Sequence, residues 1–200
     1  MATAARKKAE GAGEITIMEV QRGVLDVYIL GTSPLIMHCM SEKAWHELTL
    51  PAGPKTRADK QSNLKHNPLE EFRASPYFTD DDEAPTLLAL LPSMFKRAMG
   101  TAALDMAGAN KSQIGRLVYV PGEKLSVWGV PRVFMSIVRN SDINHTPDVR
   151  TRAILPEWAC RVSLEYTTPI LRQQSIVNLL AAAGFQSGVG DWRQEKGSGS

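Results

Sequence analysis

The residues best suited to gripping a polyanion lie in a glycine-rich stretch near the carboxyl end. Gly188 and Gly190 precede Trp192-Arg193, and Lys196 follows. Glycine lets backbone N–H groups approach a phosphate that a side chain would hold away. An indole beside a guanidinium offers stacking and charge together, the pair that single-stranded nucleic acid needs. The stretch is neither of two common phosphate loops. No Gly-Lys-Ser/Thr occurs, and Gly188-Val189-Gly190 runs into Asp191-Trp192-Arg193 instead of a third glycine. The other reading of the same residues is a tail whose Trp192 packs on the core.

Two further sets of cations could join it. Arg150 and Arg152 flank Thr151, so in a strand they share a face, with Arg161 close by on a following strand. Such a row grips phosphates, or else guards a solvated edge strand. Lys96 and Arg97 follow Pro92-Ser93 at a helix start, where the helix terminus adds positive potential; on an exposed helix they are equally an ordinary solvated pair. Ser93 and Lys96 also have the spacing in which a lysine activates a serine nucleophile. The remaining parts of that machinery are missing, since Ser141-Asp142 is followed by Ile143 and no Lys-Thr-Gly occurs. The expectation is a non-enzymatic protein, with a nuclease or a Ser93-dependent hydrolase as the catalytic alternative.

Metal chemistry finds little support. His38, His46, His66 and His145 are scattered, and Cys39 and Cys160 are the only cysteines. That is too few for a cysteine-based zinc site or a disulfide framework. The acidic run of Asp80, Asp81, Asp82 and Glu83 reads as a solvated loop. Neither metal nor cofactor is expected. The chain has 200 residues, 43% of them hydrophobic, enough for one domain with a real core. Net charge is only +2, but residues 111–161 hold eight Lys or Arg against four acids. A local basic patch is therefore available. Residues 1–13 read as a disordered basic tail without the apolar stretch of a signal peptide, and no apolar run is long enough to cross a bilayer. A cytoplasmic protein without a membrane partner is expected.

These residues need elements to hold them. Residues 24–30 (VLDVYIL) read as a buried strand, and Ser41 caps a short helix over 42–48. Residues 50–82 are polar, punctuated by prolines, and form a long insertion with at most a helical turn near 69–73. A helix opens at Pro92-Ser93 and ends at Gly108, its apolar stripe being Leu88, Leu91, Phe95, Ala98, Ala102 and Met106. Residues 117–139 look β-rich, residues 141–149 a polar loop. Cys160, Val162, Leu164 and Tyr166 alternate with polar residues in a clear strand. A second helix is expected with Thr168 as N-cap, Pro169 at its first position and Gly184 at its stop. That order predicts an α+β domain over 14–200, two helices on one face of a sheet.

On three of these motifs the chain resembles the RAMP superfamily, the RRM-like backbone and processing subunits of CRISPR surveillance complexes. One is the first strand running into Gly31-Thr32-Ser33-Pro34-Leu35. Another is the helix opening Leu91-Pro92-Ser93-Met94-Phe95-Lys96-Arg97. The third is the glycine-rich loop Gly184-Phe185-Gln186-Ser187-Gly188-Val189-Gly190. The pattern is also similar to that of small phage-encoded proteins. The resemblance implies a ferredoxin-like, antiparallel sheet that binds single-stranded RNA or DNA through its backbone. It further implies a homo-oligomer or helical assembly along the strand. A protein scaffold or interfering factor of phage origin is the alternative partner class. Taken together, Lys96, Arg97, Arg150, Arg152, Gly188, Gly190, Trp192, Arg193 and Lys196 are expected to meet on one strand-sized track.

Overall fold

The computed structural model describes residues 17–49, 66–139 and 147–193. The expected tail over 1–13, residues 50–65 of the insertion, His145 and Lys196 lie outside the described residues.

The chain folds as an α+β protein with antiparallel sheets. Its elements are β1 (Gln21–Leu30), β2 (Leu35–Met37), α1 (Glu42–Thr49), α2 (Pro68–Ala74), β3 (Tyr77–Phe78), β4 (Leu88–Leu90) and α3 (Pro92–Ala102). They continue as α4 (Lys111–Leu117), β5 (Val118–Tyr119), β6 (Leu125–Gly129), β7 (Arg132–Arg139), β8 (Pro147–Leu155), β9 (Trp158–Thr168) and α5 (Gln173–Gln186). The main sheet has the order β1-β9-β6-β4-β3, with β5 also on β9. A second sheet has the order β2-β8-β7. Every pair is antiparallel.

The two sheets are two halves of one ribbon. Chain passes from β1 to β2, from β8 to β9 and from β6 to β7, and the strand neighbours stay the same on both sides of the junction. Register nearly carries through. Leu30 pairs with Ala159, and Leu35 pairs with Leu155, so the β1–β2 side has one residue extra. On the other flank Gly129 pairs with Trp158 and Arg132 with Ile154, leaving one extra on the central strand. Such one-residue slips bend and twist a ribbon. Glycine makes the bend possible at Gly129, where a Cβ would sit 2.7 Å from the Glu157 carbonyl oxygen. At Gly31 it would strike the Trp158 indole, which is itself fixed by donating from Nε1 to the Ser33 carbonyl at 2.9 Å.

One face of the main sheet is covered. Cys160, Val162 and Leu164 of β9 are fully buried against Phe95, Ala98, Met99 and Ala102 of α3 and Ile176, Leu179 and Ala183 of α5. At about 1.5–3 kcal/mol for each large apolar side chain taken from water, this layer supplies most of the fold's driving force. Leu35, Met37 and Leu155 belong to the same core, so the covered face continues from the main sheet into the second half, the arm.

Several boundaries differ from expectation. Residues 24–30 are not buried on both sides: Leu25, Val27 and Ile29 face the core, while Val24, Tyr28 and Leu30 stand in solvent. Among the described residues helices cover only one face of the main sheet, and the alternation places every second residue on the other. The α3 helix ends at Ala102, and Leu88, assigned to its stripe, belongs to β4 instead. Residues 147–149 are strand, because β8 continues to pair with β7 out to Pro147↔Arg139. The last helix begins at Gln173, not Pro169, because the chain first closes a turn through Leu171 N–H to the Thr167 carbonyl. It runs past Gly184 to Gln186, and Gly188 takes the left-handed stop at φ +70°, its N–H bonding the Ala183 carbonyl. Part of the insertion is ordered into the fold, with β3 extending the sheet and α2 lying along the arm.

Candidate nucleic-acid interface

The face of the ribbon turned away from the helices carries a different set of residues. On the main sheet Tyr28 lies directly across from Arg161, and Leu30 and Trp128 flank Ala159 one step along. Tyr28 is 73% exposed, Leu30 76% and Trp128 38%. Arg161 reaches Asp26 at 3.8 Å, and Arg22 reaches Glu165 at 3.3 Å. These pairs are solvent-exposed, and such pairs hold only about 0–1 kcal/mol, so a phosphate can exchange for the carboxylate at small cost.

Across the bend the same face continues on the arm. Ile36 and Ile154 point away from the core and line a cavity of about 480 Å³ with Pro34, Phe134, Val138 and Trp192. Phe134 sits opposite Arg152, and Ser136 opposite Arg150, so both arginines share the face of these cavity residues. The strand reading of Arg150 and Arg152 thus holds, and Arg161 extends their row along the central strand.

The segment after α5 runs as a strap along the free edge of β2 and turns Trp192 onto this face. The Asp191 N–H donates to the Ile36 carbonyl at 2.8 Å, and Ile36 and Asp191 form an antiparallel bridge. Gly190 permits it: at φ +91° a Cβ there would meet Leu35 and the Ile36 carbonyl within 2.7 Å. The Trp192 ring then stands edge-on to Phe134, centroids 5.3 Å apart. The glycines therefore bring the strap onto β2, and Trp192 packs against the arm. The Arg193 guanidinium donates back to the Gly190 carbonyl at 3.3 Å.

A polar cluster sits beneath the strap. The Asp191 carboxylate lies 3.4 Å from Arg152 Nε and 3.5 Å from His38 Nδ1. Burial lowers the His38 pKa from its ordinary value; Arg152 and Arg150 lower it further, and Asp191 partly opposes them. Burial also raises the nearby Tyr77 phenol, whose hydroxyl donates to the His38 carbonyl, and the charges of Cys39 and Asp191 add to the rise.

The arm is fastened from its other side by α2, where β2 stops short. Past the end of β2 the Thr151 N–H donates to Glu71 at 3.1 Å, and the Ala153 N–H, opposite the last β2 residue Met37, donates to Ser75 Oγ at 2.7 Å. His66 stands between Glu71 (2.7 Å) and Asp148 (2.8 Å), and Asp148 also takes Arg150 at 3.2 Å. Burial acts to raise the Glu71 carboxyl, but hydrogen bonds from His66 and Thr151 outweigh it and hold the pKa below the usual range.

Lys96 and Arg97 do not join this set. They ride on α3, on the covered side of the sheet, where Lys96 reaches toward Tyr119 (6.0 Å from its ring centroid) and Arg97 is exposed. The expected meeting of helix cations and glycine loop on one track is therefore replaced by a track on the opposite face. Tyr28 and Trp128 were not among the expected residues. Their signal was the alternation of Tyr28 with Val27 and Ile29, and of Trp128 with Val127, which marks a half-exposed strand. Ser93 has no described histidine or acid within bonding distance, and burial pushes the Cys160 thiol up to about 12. Among the described residues no group of three or more His, Cys, Asp or Glu could hold a metal ion, and no helix is long and apolar enough to cross a membrane.

No protein-family model matches the chain, and a search of curated proteins finds no match.

Proposed function

We propose that the protein binds single-stranded nucleic acid, RNA or DNA, without catalysis, along the open face of the bent ribbon. One observation carries this reading. A single face continues from the main sheet into the arm, presenting Tyr28 and Trp128 for stacking beside Arg161, with Arg152, Arg150 and the Trp192-covered Phe134 further along it. Stacking on an aromatic ring contributes about 1–3 kcal/mol per base, and the arginines supply the backbone charge.

The RAMP-like, ferredoxin-like relationship belongs to the same proposal, supported by α3 and α5 packed together on one sheet face. Assembly along the strand is supported by β1 and β7, which end their sheets with outer edges lacking a strand partner among the described residues. A second reading, a protein scaffold, is favoured by Val133, Met135 and Ile137, an exposed apolar row on the arm's other face.

The test is anisotropy of a labelled oligonucleotide of about a dozen bases, read at rising salt. Binding should weaken steeply with salt, and Tyr28→Ala and Arg161→Ala should each lose about fivefold or more. If monodisperse protein leaves the probe free at about 50 mM salt, the nucleic-acid reading is wrong. Nuclease-resistant capture of a partner through Met135 and Ile137 would then favour the scaffold.

A further inference from the structure

We infer that Asp191 is an internal stand-in for a phosphate: its carboxylate occupies an anion subsite made by Arg152 and His38, which the backbone of a bound strand takes over. The inference rests on the nucleic-acid reading of the ribbon face and adds its regulation.

Four observations point to it. The Asp191 carboxylate lies against two side-chain nitrogens, Arg152 Nε on β8 at 3.4 Å and Nδ1 of His38, the residue after β2, at 3.5 Å. Arg152 is the least exposed of the paired arginines, its side chain 12% accessible, so its charge is directed into this site and not spent in water. The carboxylate comes from the strap, whose backbone is joined to β2 at this point by the isolated Asp191–Ile36 bridge. Next to it lies the cavity walled by Phe134, Ile36 and Trp192, wide enough for a base attached to that phosphate. Both distances are longer than the 2.7–2.9 Å of a tight charge-assisted bond, so the fit to the carboxylate is loose. A phosphate offers more acceptor oxygens and reaches both donors at once.

The strap therefore acts as a self-occupant. With Asp191 in place, a strand must displace it and rotate Trp192 before it can seat at the arm, and affinity is held down. The main-sheet end of the track, around Tyr28 and Arg161, stays open for first contact.

The experiment measures binding of a labelled oligonucleotide of about a dozen bases to the full chain and to its Asp191→Asn variant. Neutralising Asp191 should tighten binding about fivefold and steepen the salt dependence by about one ion. Adding Arg152→Gln to Asp191→Asn should remove the gain. Asp82→Asn, which changes net charge equally on a distant exposed loop, should leave affinity unchanged. Asp191→Ser serves as a second route should the asparagine variant fold poorly, with the same gain expected. Inorganic phosphate at about 10 mM should not displace the strand; full displacement would make a free anion the ligand and overturn the strand as occupant. If wild type binds and both folded Asp191 variants bind equally or less well, the stand-in idea is overturned while the ribbon interface stands. If neither wild type nor variants bind, the interface itself falls.

Discussion

The two halves of the ribbon are built from the same three lengths of chain but held by different forces. The main half, β1-β9-β6, rests on a layer of buried Val, Leu and Phe beneath α3 and α5. The arm, β2-β8-β7, shares that core only at its root, through Leu35, Met37 and Leu155. Beyond the root it is fastened by polar contacts, with His66, Glu71, Ser75 and Asp148 on the α2 side and Asp191 on the strap side. Apolar burial is not screened by salt and carries no titrating group, whereas charged contacts respond to both salt and pH. The arm is thus the half that solution conditions and a charged ligand can move.

The largest expected effect breaks the main half. Leu164→Ala removes a fully buried side chain from the centre of the core and should cost about 2–5 kcal/mol of global stability, read by denaturant unfolding. A loss below about 0.5 kcal/mol would mean that the helices do not pack on β9 as described.

A smaller effect should separate the halves. His66→Ala removes the ring between Glu71 and Asp148 and so takes one hydrogen-bond partner from each carboxylate, Asp148 being mostly buried. The expected cost is about 1–3 kcal/mol. Hydrogen exchange should quicken at Thr151 and Ala153 while β9 amides keep their protection. Equal loosening of both halves would erase the contrast drawn between them.

The smallest effect concerns pH. His38 has a pKa held below 6.5 by burial and by Arg152 and Arg150, against the opposing pull of Asp191. The unfolded chain therefore takes up that proton first as pH falls below 6.5, and stability declines until the folded-state pKa is reached. His38→Asn should flatten this part of the stability profile relative to wild type. An identical slope in the variant would show that His38 contributes nothing to it.

Much of the fold was legible in the sequence. The alternation of Cys160, Val162, Leu164 and Tyr166 marked β9 and its buried face, and the stripe Phe95, Ala98, Ala102 marked the buried side of α3. Arg150 and Arg152 were rightly placed on one strand face. Boundaries were less legible, since Thr168, Pro169 and Gly184 are good helix punctuation that the chain passes over for a turn at Pro169 and for Gly188. Local preference of about 1 kcal/mol yields there to the burial of Ile176, Leu179 and Ala183. The site was the least legible part, because Tyr28 and Trp128 lie 100 residues apart and meet only through β9.

By itself the sequence determined periods and punctuation: which residues alternate, where glycine is needed, and which stretches are apolar enough to bury. Those are properties of near neighbours in the chain, set by backbone geometry and transfer free energy. Only the tertiary structure decided that the covered face stays continuous through a bend, that the opposite face of the main sheet carries no helix among the described residues, and that Asp191 returns to Arg152. Each depends on register between distant strands, where a slip of one residue turns every side chain to the other side.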